Sequence, residues 1–264
     1  MSNYKRVVVK IGSSTITHET GMINLRQIER IVKVLSDIKN SGMELVFVTS
    51  GAIAIGSAKL GLRSKPEDMT TKQAAAAVGQ CELMYIYDKL FSEYNHIVSQ
   101  VLLTNGDFVD EERRGYVENT LIRLIELGCI PIINENDTVS VKEIEAGIFS
   151  ENDELSAIVC QLVRADLLIL ASDIDGLYDS DPKTNPDATL IPVVHDISEV
   201  QQYISETYSK QGTGGMNTKI NAASIVAATG SHAVILNGRD PQNFYSAVEG
   251  KPVGTFFTAS GSKN

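Results

Sequence analysis

Residues 6–14 read Arg-Val-Val-Val-Lys-Ile-Gly-Ser-Ser. The apolar run through Ile11 reads as a buried strand, and Gly12-Ser13-Ser14 turns the chain. Asn24 then has the form of a helix N-cap with Gln27 three positions on. Leu25, Ile28, Ile31, Val32, Leu35 and Ile38 recur at helical spacing, and Gly42 ends the run. Leu45–Thr49 is a second strand, followed by Ser50-Gly51 and an alanine-rich helix start. A strand, a helix and a strand at this spacing form a βαβ unit.

The same rhythm continues to the far end of the chain. Helices are predicted over Lys72–Tyr94, Tyr116–Leu127, Asp153–Val163 and Met216–Ala228, with strands at Ile97–Leu103, Ile130–Ile133, Leu167–Ala171 and Ala233–Leu236. Strands that lack strict alternation and are separated by helices imply an α/β fold, a three-layer α/β/α sandwich around a mostly parallel sheet. Right-handed crossovers follow. Residues 174–195 break the rhythm with Gly176, Asp179, Asp181-Pro182, Asn185-Pro186 and Asp187, and read as an excursion laid over the sheet. There is no internal repeat and no long linker. The expected organisation is one domain over residues 1–258 with two lobes, about 1–165 and about 166–258, and a polar tail at 259–264.

Composition narrows the function. The chain has 264 residues, enough for a sizeable core, and a formal net charge of -10. That charge disfavours a nucleic-acid partner unless there is a local basic patch, and the lysines and arginines are scattered. If the ligands are anions, local groups must overcome an unfavourable overall field. Cys81, Cys129 and Cys160 form no CxxC pair and read as reduced core thiols. The four histidines have no zinc-ligand spacing. The chain opens straight into a strand, with no signal peptide and no apolar run of transmembrane length, so the cytoplasm is the default location and no membrane is expected.

Four strand ends carry small or polar residues, where open α/β sheets bind ligands: Lys10–Ser14, Thr49–Gly51, Asn134–Asp137 and Ser172-Asp173. A fifth segment, Thr213-Gly-Gly-Met-Asn-Thr-Lys219, opens a helix. Its glycines admit a ligand close to the backbone, helix-start amides face outward, and Lys219 lies in the first turn. Together they make an anion clamp, phosphate being the usual anion. The plain alternative is a surface loop with an incidental lysine. Lys10 sits in an apolar strand, where its charge needs a partner unless the strand is an edge and the side chain snorkels to water. The spacing is neither that of a P-loop nor that of a dinucleotide fingerprint. Ile132-Ile133-Asn134-Glu135-Asn136-Asp137 passes from strand to a dense polar cluster. It suits a ligand bearing an amino group and a carboxylate, or else is a capped turn. Asn152-Asp153 is either a helix cap or part of the same site, and both can hold at once.

Val-Lys-Ile-Gly-Ser-Ser at 9–14, Val-Thr-Ser-Gly-Ala-Ile at 48–53, Ile-Asn-Glu-Asn-Asp at 133–137, Asn-Asp-x-Leu-Ser-Ala at 152–157 and Thr-Gly-Gly-Met-x-Thr-Lys at 213–219 resemble the glutamate 5-kinases of the amino-acid kinase superfamily. The resemblance runs from about residue 5 to 258. Aspartokinases, acetylglutamate kinases and uridylate kinases share the fold and the Asp-Gly-Leu-Tyr…Asp-Pro segment at 175–182, but not this combination. Many glutamate 5-kinases carry a C-terminal PUA domain, a fold associated with RNA binding elsewhere, and this chain stops before one.

The resemblance implies phosphorylation of the L-glutamate side-chain carboxylate by ATP, with Mg²⁺ carried mainly by the nucleotide. It implies Lys10, Asp153 and Lys219 as catalytic residues. Glutamate would be bound by Ser50, Gly51, Asn134, Asp137 and Asn152 on the first lobe. ATP would be bound by Lys10, Gly12, Ser13, Ser172, Asp173, Thr213, Gly214, Gly215, Met216, Asn217, Thr218 and Lys219, with the second lobe holding the nucleotide. Feedback inhibition by L-proline, a glutamyl phosphate reductase partner and a homo-oligomer are further expectations of the family. Rival readings are a related kinase with another acceptor and a catalytically silent regulatory protein on the same fold.

Overall fold

A computed structural model describes residues 4–62, 64, 66–139, 151–182, 184–200 and 215–260. The chain forms two compact units, one of residues 11–152 and one of residues 1–10 with 153–264. The chain passes between the units at 10/11 and at 152/153. Asp153, at that boundary, has its carboxylate tied to Lys10 and Lys219 of its own unit.

In chain order the elements begin with β1 (Arg6–Ile11), α1 (Ser13–Ile16), α2 (Leu25–Asn40), β2 (Glu44–Val48), α3 (Ala52–Lys59) and α4 (Met69–Ser92). There follow β3 (Val98–Leu103), α5 (Gly106–Val109), α6 (Glu111–Glu126) and β4 (Ile130–Glu135). Among the described residues there follow α7 (Asn152–Leu162), β5 (Leu167–Ser172), β6 (Val193–Val194), a 3₁₀ turn (Ile197–Glu199), α8 (Met216–Ala228), β7 (His232–Asn237), α9 (Gln242–Val248) and β8 (Thr255–Phe257).

Within residues 11–152 the strands lie in the order β3-β4-β2, all parallel, with Phe47 opposite Ile132 and Val98 opposite Ile130. Helix α2 starts where Asn24 accepts a hydrogen bond from the Gln27 amide at 3.1 Å. It buries Ile28, Ile31, Val32, Leu35 and Ile38, whereas Leu25, in its first turn, remains exposed. Helix α6 begins earlier than its apolar spacing suggests, because the Asp110 carboxylate caps the Glu112 and Arg113 amides at 2.9 and 3.1 Å.

Helices α3 and α4 cross backbone to backbone. A methyl group on Gly56 would lie 1.8 Å from the Ala75 carbonyl oxygen, and one on Gly79 would lie 1.8 Å from that of Ala52. Neither carbonyl can yield without moving its helix. Gly79→Ala is therefore expected to destabilise the protein by about 1–3 kcal/mol or more. Gly115→Ala, in α6 with open space around it, should be neutral or stabilising by up to about 1 kcal/mol. Chemical denaturation of the two variants beside the parent checks this, and equal midpoints for both would contradict it.

In the second unit the order is β1-β5-β7-β8-β6. Asp166 ties together the starts of three strands. Its Oδ2 accepts from the Lys5 and Arg6 amides at 2.7 and 2.8 Å, its own amide donates to the Arg6 carbonyl, and its carbonyl accepts from His232. Strands β5 and β7 pair in parallel from Leu167↔His232 to Ser172↔Asn237, β7 and β8 pair antiparallel, and β6 pairs with β8 in parallel. The excursion after β5 is held by the Tyr178–Leu190 bridge. The mostly parallel sheet with helices expected from the sequence is present. No helix among the described residues is long and apolar enough to cross a membrane.

The cysteines need a correction. Only Cys160 is in the core, whereas Cys129 is half-buried and Cys81 is exposed on the outer side of α4. Burial, reinforced by the Asp166 carboxylate, pushes the Cys160 thiol up to about 12. Because the thiolate is the nucleophile, iodoacetamide should label Cys81 in the native protein and Cys160 only after denaturation. Peptide mapping reads this directly, and native labelling of Cys160 would contradict its burial.

Candidate active site

Lys10 belongs to β1, where Val7, Val8, Val9 and Ile11 are also buried. Snorkelling is therefore not its solution. Its Nζ lies 2.5 Å from Asp153 Oδ1, while Lys219 Nζ lies 3.0 Å from Asp153 Oδ2. The three side chains are 7, 1 and 9% exposed. Burial pushes the Asp153 carboxyl up, but the ammonium groups of Lys10 and then Lys219 more than offset this and hold it below the usual carboxylate range. Two buried ammonium groups thus share one carboxylate.

Lys219 is brought there by α8, whose N-terminal residue Met216 follows Gly215 with no side-chain cap. Thr218 Oγ1 lies 2.8 Å from both Asp153 Oδ2 and the Gly215 carbonyl oxygen. The Asn221 amide donates to Glu154 at 3.0 Å, so α7 and α8 are tied at a second point. Met216 is buried and Asn217 half-buried. Thr213 and Gly214 lie outside the described residues, as does the Gly261–Asn264 tail. Ser172, at the carboxyl end of β5, is 7% exposed, and its hydroxyl donates to the exposed Asp173 at 3.3 Å. Opposite Ser172 stands Asn237, which donates to Asp175 at 2.9 Å. Sequence reasoning missed Asn237, although Leu236-Asn237-Gly238 repeats the strand–polar–glycine form that drew attention to the other strand ends.

A second polar set lies within residues 11–152. Asn134, 1% exposed in β4, donates through Nδ2 to Gln80 Oε1 at 2.9 Å and accepts the Glu135 amide through Oδ1 at 3.0 Å. Asn152 Nδ2 donates to Asn134 Oδ1 and to Ser50 Oγ, both at 3.0 Å. Gly51 follows Ser50 with a φ of 98°, a left-handed conformation that lets the chain enter α3. A methyl group there would meet Ser13 Cβ at 3.4 Å. Gly12 precedes α1 and Ser13 is exposed. Asp137 is half-buried in the turn after β4, which closes from the Val139 amide to the Asn136 carbonyl. The capped-turn alternative thus describes residues 136–139 but not Asn134.

The structure also decides the cap question at 152–153. Asn152 Oδ1 is buried with no partner among the described residues, so it accepts no helix amide. Asp153 lies inside the helix, and its carboxylate is spent on the two lysines. Gln80 was missed because it follows an alanine-rich run and Gly79 and reads as helix filler. The clue available was a polar residue next to a glycine on the packed side of α4. Among the described residues no group of three or more His, Cys, Asp or Glu is placed to hold a metal.

The profile of the amino acid kinase family matches residues 5–237. Among curated relatives, a glutamate 5-kinase of Clostridium perfringens is 48% identical over 98% of this chain and 97% of its own length. One of Listeria innocua is 46% identical over 98% of this chain and 95% of its own. Among solved structures, a UMP kinase from Bacillus anthracis superposes with a TM-score of 0.67 at 18% identity, covering 97% of both chains. A T. acidophilum isopentenyl phosphate kinase superposes with a TM-score of 0.63 at 20% identity, covering 96% of this chain and 100% of its own. The structural likenesses establish the fold. With the sequence identities and their near-complete coverage, the chain belongs to the amino acid kinase family and, within it, to the glutamate 5-kinases.

Proposed function

We propose that this chain transfers the γ-phosphoryl group of ATP to the side-chain carboxylate of L-glutamate, giving L-glutamyl 5-phosphate and ADP, the first step of proline biosynthesis. The observation that carries the reading is the buried Lys10–Asp153–Lys219 set, in which two ammonium groups meet on one carboxylate. A glutamate carboxyl, with a pKa of about 4.3, is already ionised at neutral pH. No general base is needed, and what remains is positioning and relief of charge repulsion. One carboxylate oxygen forms a bond to the γ-phosphorus as the bond from that phosphorus to the bridging oxygen breaks, and ADP leaves with the electron pair. No proton moves.

Lys10 and Lys219 stabilise the charge on the transferred group, and Asp153 holds both ammonium groups in place. Glutamate is bound by Ser50, Gly51, Asn134, Asp137 and Asn152, with Asp137 facing its ammonium group. Gly12, Ser13, Ser172, Asp173 and residues 213–219 serve ATP. Mg²⁺, carried by the nucleotide, would supply neutralisation of phosphate charge. Feedback by L-proline at the glutamate site, transfer of the labile product to a reductase, a homo-oligomer and a cytoplasmic location complete the reading.

Hydroxylamine trapping with Mg-ATP and glutamate, aspartate, acetylglutamate or uridylate tests it. Hydroxamate with glutamate alone is expected. Hydroxamate with another acid changes the substrate, and ADP release with uridylate but no hydroxamate makes it a nucleotide kinase. Folded, ATP-binding protein with no turnover would favour the regulatory reading.

A further inference from the structure

The amide network of residues 11–152 has a fixed polarity. A backbone N–H can only donate, so the Glu135 amide, 3.0 Å from the Asn134 side chain, identifies the atom it meets as Oδ1. Asn134 Nδ2 must then face Gln80, which can receive it only through Oε1, at 2.9 Å. The second group on Asn134 Oδ1 must be a donor, which makes it Asn152 Nδ2. Both hydrogens of that Nδ2 are then used, one on Asn134 and one on Ser50 Oγ. Two consequences follow. Asn152 is left with its Oδ1, a buried acceptor without a partner among the described residues. Ser50 Oγ accepts from Asn152, so its hydroxyl hydrogen is directed elsewhere.

We infer that Gln80 is a positioning residue for the amino-acid substrate. As the acceptor for Asn134, it supports the polarity set by the Glu135 amide, in which Asn152 presents its Oδ1 as an acceptor and Ser50 keeps its hydroxyl hydrogen to donate. An acceptor suits the ammonium group of an amino acid, and a donor suits its carboxylate. Without the Gln80 oxygen, Asn134 Nδ2 would be a buried unpaired donor, which favours rotation of that side chain and release of Asn152. Gln80 is 6% exposed, and its own Nε2 has no partner among the described residues. Unsatisfied buried amide groups are uncommon in a finished core, and a bound ligand is one way of satisfying them. Gln80 also follows Gly79 at the α3–α4 crossing, so the backbone contact that forbids a side chain at 79 sets where the amide at 80 begins.

The inference rests on glutamate as substrate, so glutamyl hydroxamate formation by the parent enzyme comes first, and its failure would overturn that reading rather than this one. The test proper compares glutamate with glutarate, the same diacid without the amino group, as the ratio of the glutarate inhibition constant to the glutamate KM. Loss of a hydrogen bond to a charged group corresponds to roughly a tenfold to hundredfold change. Gln80→Met should lower the ratio by about tenfold or more while the ATP KM stays within about twofold, and Gln80→Glu, which keeps an acceptor, should retain most of it. An unchanged ratio in Gln80→Met, or a ratio lost equally in both variants, would overturn the inference. If Gln80→Met does not fold, side-chain amide exchange in the parent protein without ligand decides. Slow exchange at both Asn134 and Asn152 is expected, and free exchange at either would overturn the assigned polarity.

Discussion

Lys219→Ala is expected to lower kcat by about 10²–10³, with only a modest change in the glutamate KM. In this account, charge accumulates on the transferred phosphoryl group as the reaction proceeds, and a buried ammonium group stabilises it more strongly there than it would in water. Lys219 is well placed for that role because the side chain is 9% exposed and its neighbour is a carboxylate already shared with Lys10. Its removal leaves Asp153 paired with Lys10, so the fold should survive and the melting temperature should move little compared with the rate. A near-normal kcat in folded Lys219→Ala would take this lysine out of the mechanism.

The second large effect is expected from Asp153→Asn, and it should appear in stability as well as rate. The asparagine would remove a carboxylate that two buried ammonium groups share, and breaking a buried pair in this way costs about 3–5 kcal/mol. ATP should recover part of that loss, because its phosphates supply the missing negative charge. Its stabilising effect on the variant should therefore exceed that on the parent. The rate should fall by about 10² or more, since the lysines are no longer held.

The pH dependence follows from the sign of the shift. The Asp153 carboxyl is held below its ordinary value in the folded protein. Its contribution is therefore fully present above the unfolded value of about 3.9 and is lost as pH falls through the lower folded value. The stability gap between parent and variant should be flat near neutrality and close only in strong acid. Denaturant midpoints across pH read this out. A variant that melts earlier but turns over normally would make Asp153 purely structural.

The layout of strands and helices was legible because buried parallel strands and amphipathic helices announce themselves in apolar spacing. Asn24 with Gln27 marked the start of α2, and Met216–Ala228 matches its helix end for end. Where the reading fell short, the deciding contacts were distant in sequence or were made by few residues. Helix α6 starts early because of one carboxylate at Asp110, which leaves the apolar spacing unaltered. The short α9 and β8 bury too few side chains to leave a pattern.

At the site, Lys10 and Lys219 could be singled out because a lysine in an apolar strand or a glycine-led helix start is conspicuous. That both meet one carboxylate was an expectation of the family resemblance and not of spacing, since 143 positions separate Lys10 from Asp153 and 66 separate Asp153 from Lys219. Gln80 was harder still. Its side chain joins Asn134 across 54 positions, and nothing in its own surroundings distinguishes it from helix filler.

The central claim is that an ionised carboxylate attacks phosphorus without a protein base, and an isotope experiment tests it most directly. L-glutamate bearing heavy oxygen in its side-chain carboxylate would be incubated with Mg-ATP, the enzyme and hydroxylamine, and the released phosphate analysed by mass spectrometry. Attack by the carboxylate places a labelled oxygen between carbon and phosphorus. Hydroxylamine then cleaves on the carbon side, so the phosphate is predicted to carry that label in step with hydroxamate. Unlabelled phosphate accompanying ADP release would mean that water takes the phosphoryl group, and would contradict the account.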